Sequence, residues 1–129
     1  MLKKFKFSIM IIFIFLVSFV LNAKTIDENE LIKMSKLSNT QIIDLRTPKE
    51  ALQTGIIKGA TLHNYFDSTF NSFLNSLDKN NNYIIYCHSG GRSGNAEKRM
   101  KRLGFHVFNY SPGMTGWKSK KLPTVRYNK

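Results

Sequence analysis

Cys87 closes the apolar run Tyr83-Ile84-Ile85-Tyr86 and is followed at once by His88-Ser89-Gly90-Gly91-Arg92-Ser93. A thiol at a strand end, in a glycine-containing loop that opens a helix, lies where backbone N–H groups converge on one point. Such a point binds anions. The same field favours thiolate over thiol and so makes a nucleophile. Gly90 and Gly91 let the backbone turn tightly. Arg92 adds a permanent cation with a planar fork suited to an oxyanion. The helix dipole disfavours a cation in a first turn, so its presence there points to an anion nearby. The combination suits a nucleophilic cysteine acting on an anionic substrate. Taken alone, Cys87 would be a small buried hydrophobe, the usual fate of a lone cysteine. The adjoining loop and helix start outweigh that reading.

Other residues that could do chemistry are given plainer roles. As the only cysteine, Cys87 has no intrachain disulfide partner and no CxxC partner. His88 adjoins Cys87, but consecutive side chains need not face each other. A wall of the loop or a substrate contact is preferred for it over a general base. His63 and His106 fall in expected strand regions and are read as packing or surface residues. Trp117 is read as a packing anchor. No metal site and no cofactor are expected.

The elements that must position the loop follow from periodicity. Asp27 precedes Leu31, Ile32, Met34 and Leu37, with Glu30 three residues after it, which predicts a capped helix. Gln41–Leu45 reads as a buried strand, Pro48–Thr54 as a short helix stopped by Gly55, and Ala60–Asn64 as a short strand. Phe66, Phe70, Phe73, Leu74 and Leu77 mark one face of an amphipathic helix. Asp78–Asn82 is a turn cluster before the strand Tyr83–Cys87. Ala96, Met100 and Leu103 mark a helix ended by Gly104; Phe105–Tyr110 is the last strand, and Met114–Lys118 a helical turn. Short apolar strands alternating with helices predict an α/β fold. Its mainly parallel sheet would have about four to five short strands with helices on both faces.

Residues 1–23 read as an address. Lys3, Lys4 and Lys6 precede an apolar run from Phe7 to Leu21, broken only by Ser8 and Ser18, with Ala23 at its end. This is the pattern of a secretory signal peptide. The alternative is an uncleaved membrane anchor. The rest, residues 24–129, is expected to form one domain, exported and most simply periplasmic. The 129-residue chain carries +12, which falls to +9 without the leader's lysines. That charge admits nucleic acid, a membrane surface or small anions as partners. The dense groups Lys98–Arg102 and Lys118–Lys121 read as a solvated helix face and a basic tail. No aromatic-interleaved platform for nucleic acid is evident, so no nucleic-acid partner is expected. A membrane partner is expected only if the leader stays uncleaved.

The chain resembles a single-domain rhodanese, of the rhodanese-like sulfurtransferase family, over about Glu30 to Val125. Ile42–Glu50 is similar to the family's first strand and its Asp-x-Arg-x-x-x-Glu signature. Gly55–Ala60 resembles its Gly-His-Ile-x-Gly-Ala motif, with Ile56 in place of His. Tyr86–Ser93 resembles its catalytic loop. Leu103-Gly104-Phe105 and Gly113–Trp117 resemble the last helix end and a Gly-x-x-x-Trp turn, with Pro112 where a glycine is common.

The resemblance implies a rhodanese-like fold and a Cys87 persulfide. Cys87 would take sulfur from thiosulfate or a similar anionic donor and pass it to cyanide or a thiol. Backbone N–H groups of His88, Ser89, Gly90, Gly91, Arg92 and Ser93 would hold the persulfide, and Arg92 would orient the donor. Asp44 and Arg46 are implied to be a structural polar pair beside the loop. A monomer is expected. Two rivals stand beside this reading. One is a binding module or partner-specific sulfur carrier with little activity of its own. The other is a cysteine phosphatase, whose loop holds one residue more between Cys and Arg than the four present here.

Overall fold

The computed structural model describes residues 25–129; the leader expected over residues 1–23 lies outside the described residues. The order is α1 (Glu28–Met34), β1 (Thr40–Asp44), α2 (Pro48–Thr54), β2 (Ala60–Leu62), α3 (Phe70–Ser76), β3 (Asn82–Tyr86), α4 (Gly91–Arg102), β4 (His106–Asn109) and α5 (Gly113–Ser119). The four strands form one parallel sheet in the order β2-β1-β3-β4. This is the expected α/β architecture, with four strands.

Both faces of the sheet are covered, which is why its strands are apolar without alternation. Successive side chains point to opposite faces. Ile43, Tyr83 and Ile85 pack with Phe70, Leu74, Ala96 and Met100 of α3 and α4. Ile42, Ile84 and Tyr86 pack with Leu31, Met114 and Trp117 of α1 and α5. β1 and β3 lie in register side by side, with Asp44 opposite Tyr86. Their carboxyl ends therefore reach the same edge of the sheet, where ligands of open α/β sheets bind.

Two expected helices are shorter than their periodicity suggested, and α1 ends at Met34, before Leu37. The helix read from Phe66 begins at Phe70. Side-chain oxygens of Asn64 and Asp67 accept from the backbone N–H groups of Phe66 at 3.1 Å and Thr69 at 2.9 Å. These Asx turns compete with the helix and delay it. Phe66 is left 68% exposed, outside the apolar face to which its spacing assigned it. The terminal strands also trim: the expected Ala60–Asn64 ends at Leu62, and Phe105–Tyr110 runs from His106 to Asn109. Gly104, at φ +88°, ends α4 as expected. Trp117 is buried, edge-on to Tyr110, and its indole N–H donates to the Pro123 carbonyl at 3.0 Å.

Candidate active site

Cys87 stands one residue past the end of β3 rather than inside it, and is 1% exposed. The chain then turns back so that N–H groups point at the sulfur. Gly90 N lies 3.2 Å and Ser93 N 3.5 Å from Cys87 Sγ, with Ser93 Oγ also at 3.5 Å. Gly90 takes φ +100°, and a Cβ there would lie 2.7 Å from the Ser111 carbonyl oxygen. Only glycine makes this turn without strain. Gly91, Arg92 and Ser93 form the first turn of α4.

The other side of the loop is held by α5. Met114 N donates to the Cys87 carbonyl at 2.9 Å and Thr115 N to the His88 carbonyl at 3.0 Å. Two carbonyls are thus satisfied from behind while N–H groups gather on the sulfur. Burial by itself would push the Cys87 thiol up. Hydrogen bonds from the Ser93 hydroxyl and from the N–H groups of Ser93, Gly90 and Ser89 outweigh it, and the thiol lies below its ordinary value.

His88 and Ser89 are exposed at the rim. His88 does not pair with the thiol: its Nε2 lies 3.2 Å from Thr115 Oγ1. Gly91 has open space where a Cβ would be. His63 stacks on Phe73, ring centroids 3.5 Å apart. His106 is an exposed residue of β4.

Arg92, read from the sequence as the cation for a donor's oxygens, is paired with a carboxylate of its own chain. Nη1 donates to Glu50 Oε2 at 2.8 Å and Nη2 to Glu50 Oε1 at 2.7 Å. The guanidinium of Arg92 holds the Glu50 carboxyl down at about 2, against the opposing effect of burial and with help from Thr47. Glu50 also closes a capping box on α2: Thr47 N donates to its Oε2 at 2.8 Å, and Glu50 N to Thr47 Oγ1 at 3.3 Å. The Phe66 ring lies over the guanidinium, its centroid 5.5 Å from Cζ.

Asp44 and Arg46 are both wholly buried and paired, Arg46 Nη2 donating to Asp44 Oδ2 at 2.7 Å and Nε to Oδ1 at 3.0 Å. Arg46 also donates to Thr54 Oγ1 and the Gly55 carbonyl. The Tyr86 hydroxyl donates to Asp44 Oδ2 at 2.7 Å and accepts from Ile57 N at 3.1 Å. This network ties β1, the end of α2 and the residue before Cys87 into one unit.

Spacing assigned no part in the site to three residues that entered the sequence reading only within motifs of the family resemblance, Glu50 in the Asp-x-Arg-x-x-x-Glu signature and Gly113 and Thr115 in the Gly-x-x-x-Trp turn. Glu50 had a local signal, since Thr47-Pro48-Lys49-Glu50 has capping-box spacing. Gly113 and Thr115 had none, because the backbone they meet at Cys87 and His88 lies more than 20 residues away in sequence.

The family model for the rhodanese-like domain matches residues 27–120. YrkF of Bacillus subtilis, named as a proposed sulfur carrier protein, is 47% identical over 47 residues, which are 36% of this chain and 25% of the relative. The chain thus spans only a quarter of that relative's length. The thiosulfate sulfurtransferase GlpE of Shewanella oneidensis is 26% identical over 73% of this chain and 91% of its own. Among solved structures, a rhodanese-like domain protein of Staphylococcus aureus superposes with a TM-score of 0.65 at 31% identity, covering 79% of this chain and 98% of that one.

Proposed function

The chain belongs to the rhodanese-like domain family, and from that premise we propose that it is a sulfurtransferase working through a Cys87 persulfide. The observation that carries this reading is the convergence of Gly90 N, Ser93 N and Ser93 Oγ on a buried sulfur. Those donors stabilise Cys87 as thiolate, and the same group of donors stabilises the negative end of a persulfide.

The donor is thiosulfate or a similar anionic sulfane compound. Cys87 thiolate attacks its outer sulfur, a new S–S bond forms, and the donor's S–S bond breaks. Sulfite leaves with the electron pair, and Cys87 carries –S–S⁻. A thiophilic acceptor, cyanide or a thiol, then attacks the outer sulfur and returns Cys87 as thiolate. No step needs a metal or an added cofactor. His88 takes no proton in this scheme, consistent with its bond to Thr115. Residues 1–23 act as an export leader in this reading, placing the domain in the periplasm.

A second reading is a sulfur carrier loaded by a specific partner. It is favoured by the pairing of Arg92 with Glu50, which occupies the cation expected to grip a small donor. One experiment separates the two. The purified protein is weighed intact after thiosulfate, and again after cyanide. Gain of one sulfur, lost with release of thiocyanate and absent in Cys87→Ser, supports the enzyme. A folded protein with an alkylatable Cys87 and no gain supports the carrier.

A further inference from the structure

β1 runs from Thr40 to Asp44, which sits beside Tyr86 at the edge that carries Cys87. Toward the opposite edge a second cavity, of about 450 Å³, opens between α1, the start of β1, the turn before β2 and the tail after α5. None of its lining residues belongs to the Cys87 loop. Its volume is about three times the roughly 150 Å³ that holds a benzene molecule in an apolar core, and falls in the range of ligand sites. Ile32, Ile42, Ile57 and Trp117 make its walls mostly apolar. Ile32, 37% exposed, borders the mouth. The Trp117 indole N–H is already given to the Pro123 carbonyl, so it has no donor left for a ligand.

The polar groups gather at one end. Thr40 and Lys58 each stand two residues before Ile42 and Ala60, which are register partners in β1 and β2. Thr40 lies on the same face of β1 as Ile42, and its buried hydroxyl has no hydrogen-bond partner. Lys58 is exposed and makes no ion pair among the described residues. No Asp or Glu lines the cavity. A cation and an unsatisfied hydroxyl at one end of an apolar cavity complement a carboxylate on an alkyl chain.

We propose that this cavity binds a medium-chain free fatty acid. Its carboxylate accepts from the Lys58 ammonium and the Thr40 hydroxyl, and its chain lies along Ile32, Ile42, Ile57 and Trp117. Each methylene group that the walls cover adds to the affinity. Binding makes and breaks no covalent bond and does not depend on the persulfide reading.

Trp117 is the only tryptophan of the chain, so its emission reports on the cavity directly. The full-length protein is titrated with decanoate, with decyltrimethylammonium to test the charge and acetate to test the chain. Decanoate gives a saturable change in emission and binds at least about ten-fold more tightly than decyltrimethylammonium, while acetate gives no saturable change. Lys58→Gln weakens decanoate binding about ten-fold, and Thr40→Val weakens it several-fold. Ile32→Glu, which suits an exposed helix position, puts a like charge in the wall and removes binding. Circular dichroism verifies the fold of each variant; should Thr40→Val not fold, the exposed Lys58 decides. No saturable change in the folded wild-type chain overturns the proposal. So does equal affinity for the two decyl probes, which marks a groove without preference for an anion. Decanoate binding untouched by Lys58→Gln and Ile32→Glu lies elsewhere and overturns it too. Self-association of the wild type that Ile32→Glu abolishes and decanoate does not compete with would make the groove an interface between copies. Saturation only after removal of residues 1–23 would assign the groove to the chain's own apolar run. Either result overturns the proposal.

Discussion

Gly113 lies against the backbone of Cys87 so closely that a Cβ on it would stand 2.6 Å from the Cys87 carbonyl oxygen and 2.5 Å from that of His88. It also holds φ +62°. The contact lets Met114 and Thr115 bond those same carbonyls, so one glycine on α5 sets the back wall of the thiol's loop.

Gly113→Ala should therefore harm the site and the fold together. The added methyl meets backbone rather than a yielding side chain, in a conformation that L residues rarely adopt. A loss of about 2–4 kcal/mol is expected. Chemical denaturation measures it, and a loss under about 0.5 kcal/mol, the range of ordinary surface substitutions, would mean the loop has another support.

Ser93→Ala removes the hydroxyl that bonds the sulfur at 3.5 Å. Burial of Cys87 then weighs more, and its thiol should titrate at higher pH. The rate of alkylation by iodoacetamide is the readout. Its midpoint moves up, and at a pH below the midpoint the rate falls several-fold. An unmoved profile would assign the thiolate to the backbone N–H groups alone.

Arg92→Ala leaves Glu50 as an unpaired carboxylate at the site. The KM for thiosulfate should rise about ten-fold or more, with a smaller change in thermal stability. Steady-state kinetics beside a melting curve would check both. An unchanged KM takes Arg92 out of the donor site.

Glu50 makes stability depend on acid. Its carboxyl is held at about 2, against an ordinary value of 4.5. A lowered folded value favours the folded state fully above about pH 4.5, and the benefit is lost as pH falls toward 2. With Arg92 and Glu50 partly exposed, the contribution is about 1–2 kcal/mol after screening. Denaturation at pH 6 and pH 3 should show a larger loss for wild type than for Glu50→Gln. Equal losses would place the acid sensitivity elsewhere.

Asp44→Ala strands Arg46 as a buried cation and takes an acceptor from the Tyr86 hydroxyl. The expected cost is about 3–5 kcal/mol. Urea titration reads it; a cost below about 1 kcal/mol would mean that water enters and solvates Arg46.

The parallel α/β architecture was legible because burial on both faces demands continuous β-branched runs, as in Ile42-Ile43 and Ile84-Ile85, and helices between them demand a different period. Cys87, Gly90 and Ser93 were legible as one loop because they lie within seven residues, and a strand end followed by glycines and a helix start leaves few paths for the backbone. Phe66 was misplaced for the opposite reason. Its spacing fitted the helix, but the side chains of Asn64 and Asp67 captured the N–H groups that the helix needed.

The amino-acid order by itself determined the local conformations, the position of the thiol at the sheet's carboxyl edge, and the family resemblance. Tertiary structure alone decided that Arg92 meets Glu50, 42 residues away, and that Gly113 and Thr115 back the loop. Local conformation follows from steric and hydrogen-bonding preferences of neighbours in the chain. Pairing between distant residues depends on how β1 and β3 align and how α2, α4 and α5 then pack, and no short-range pattern encodes that alignment.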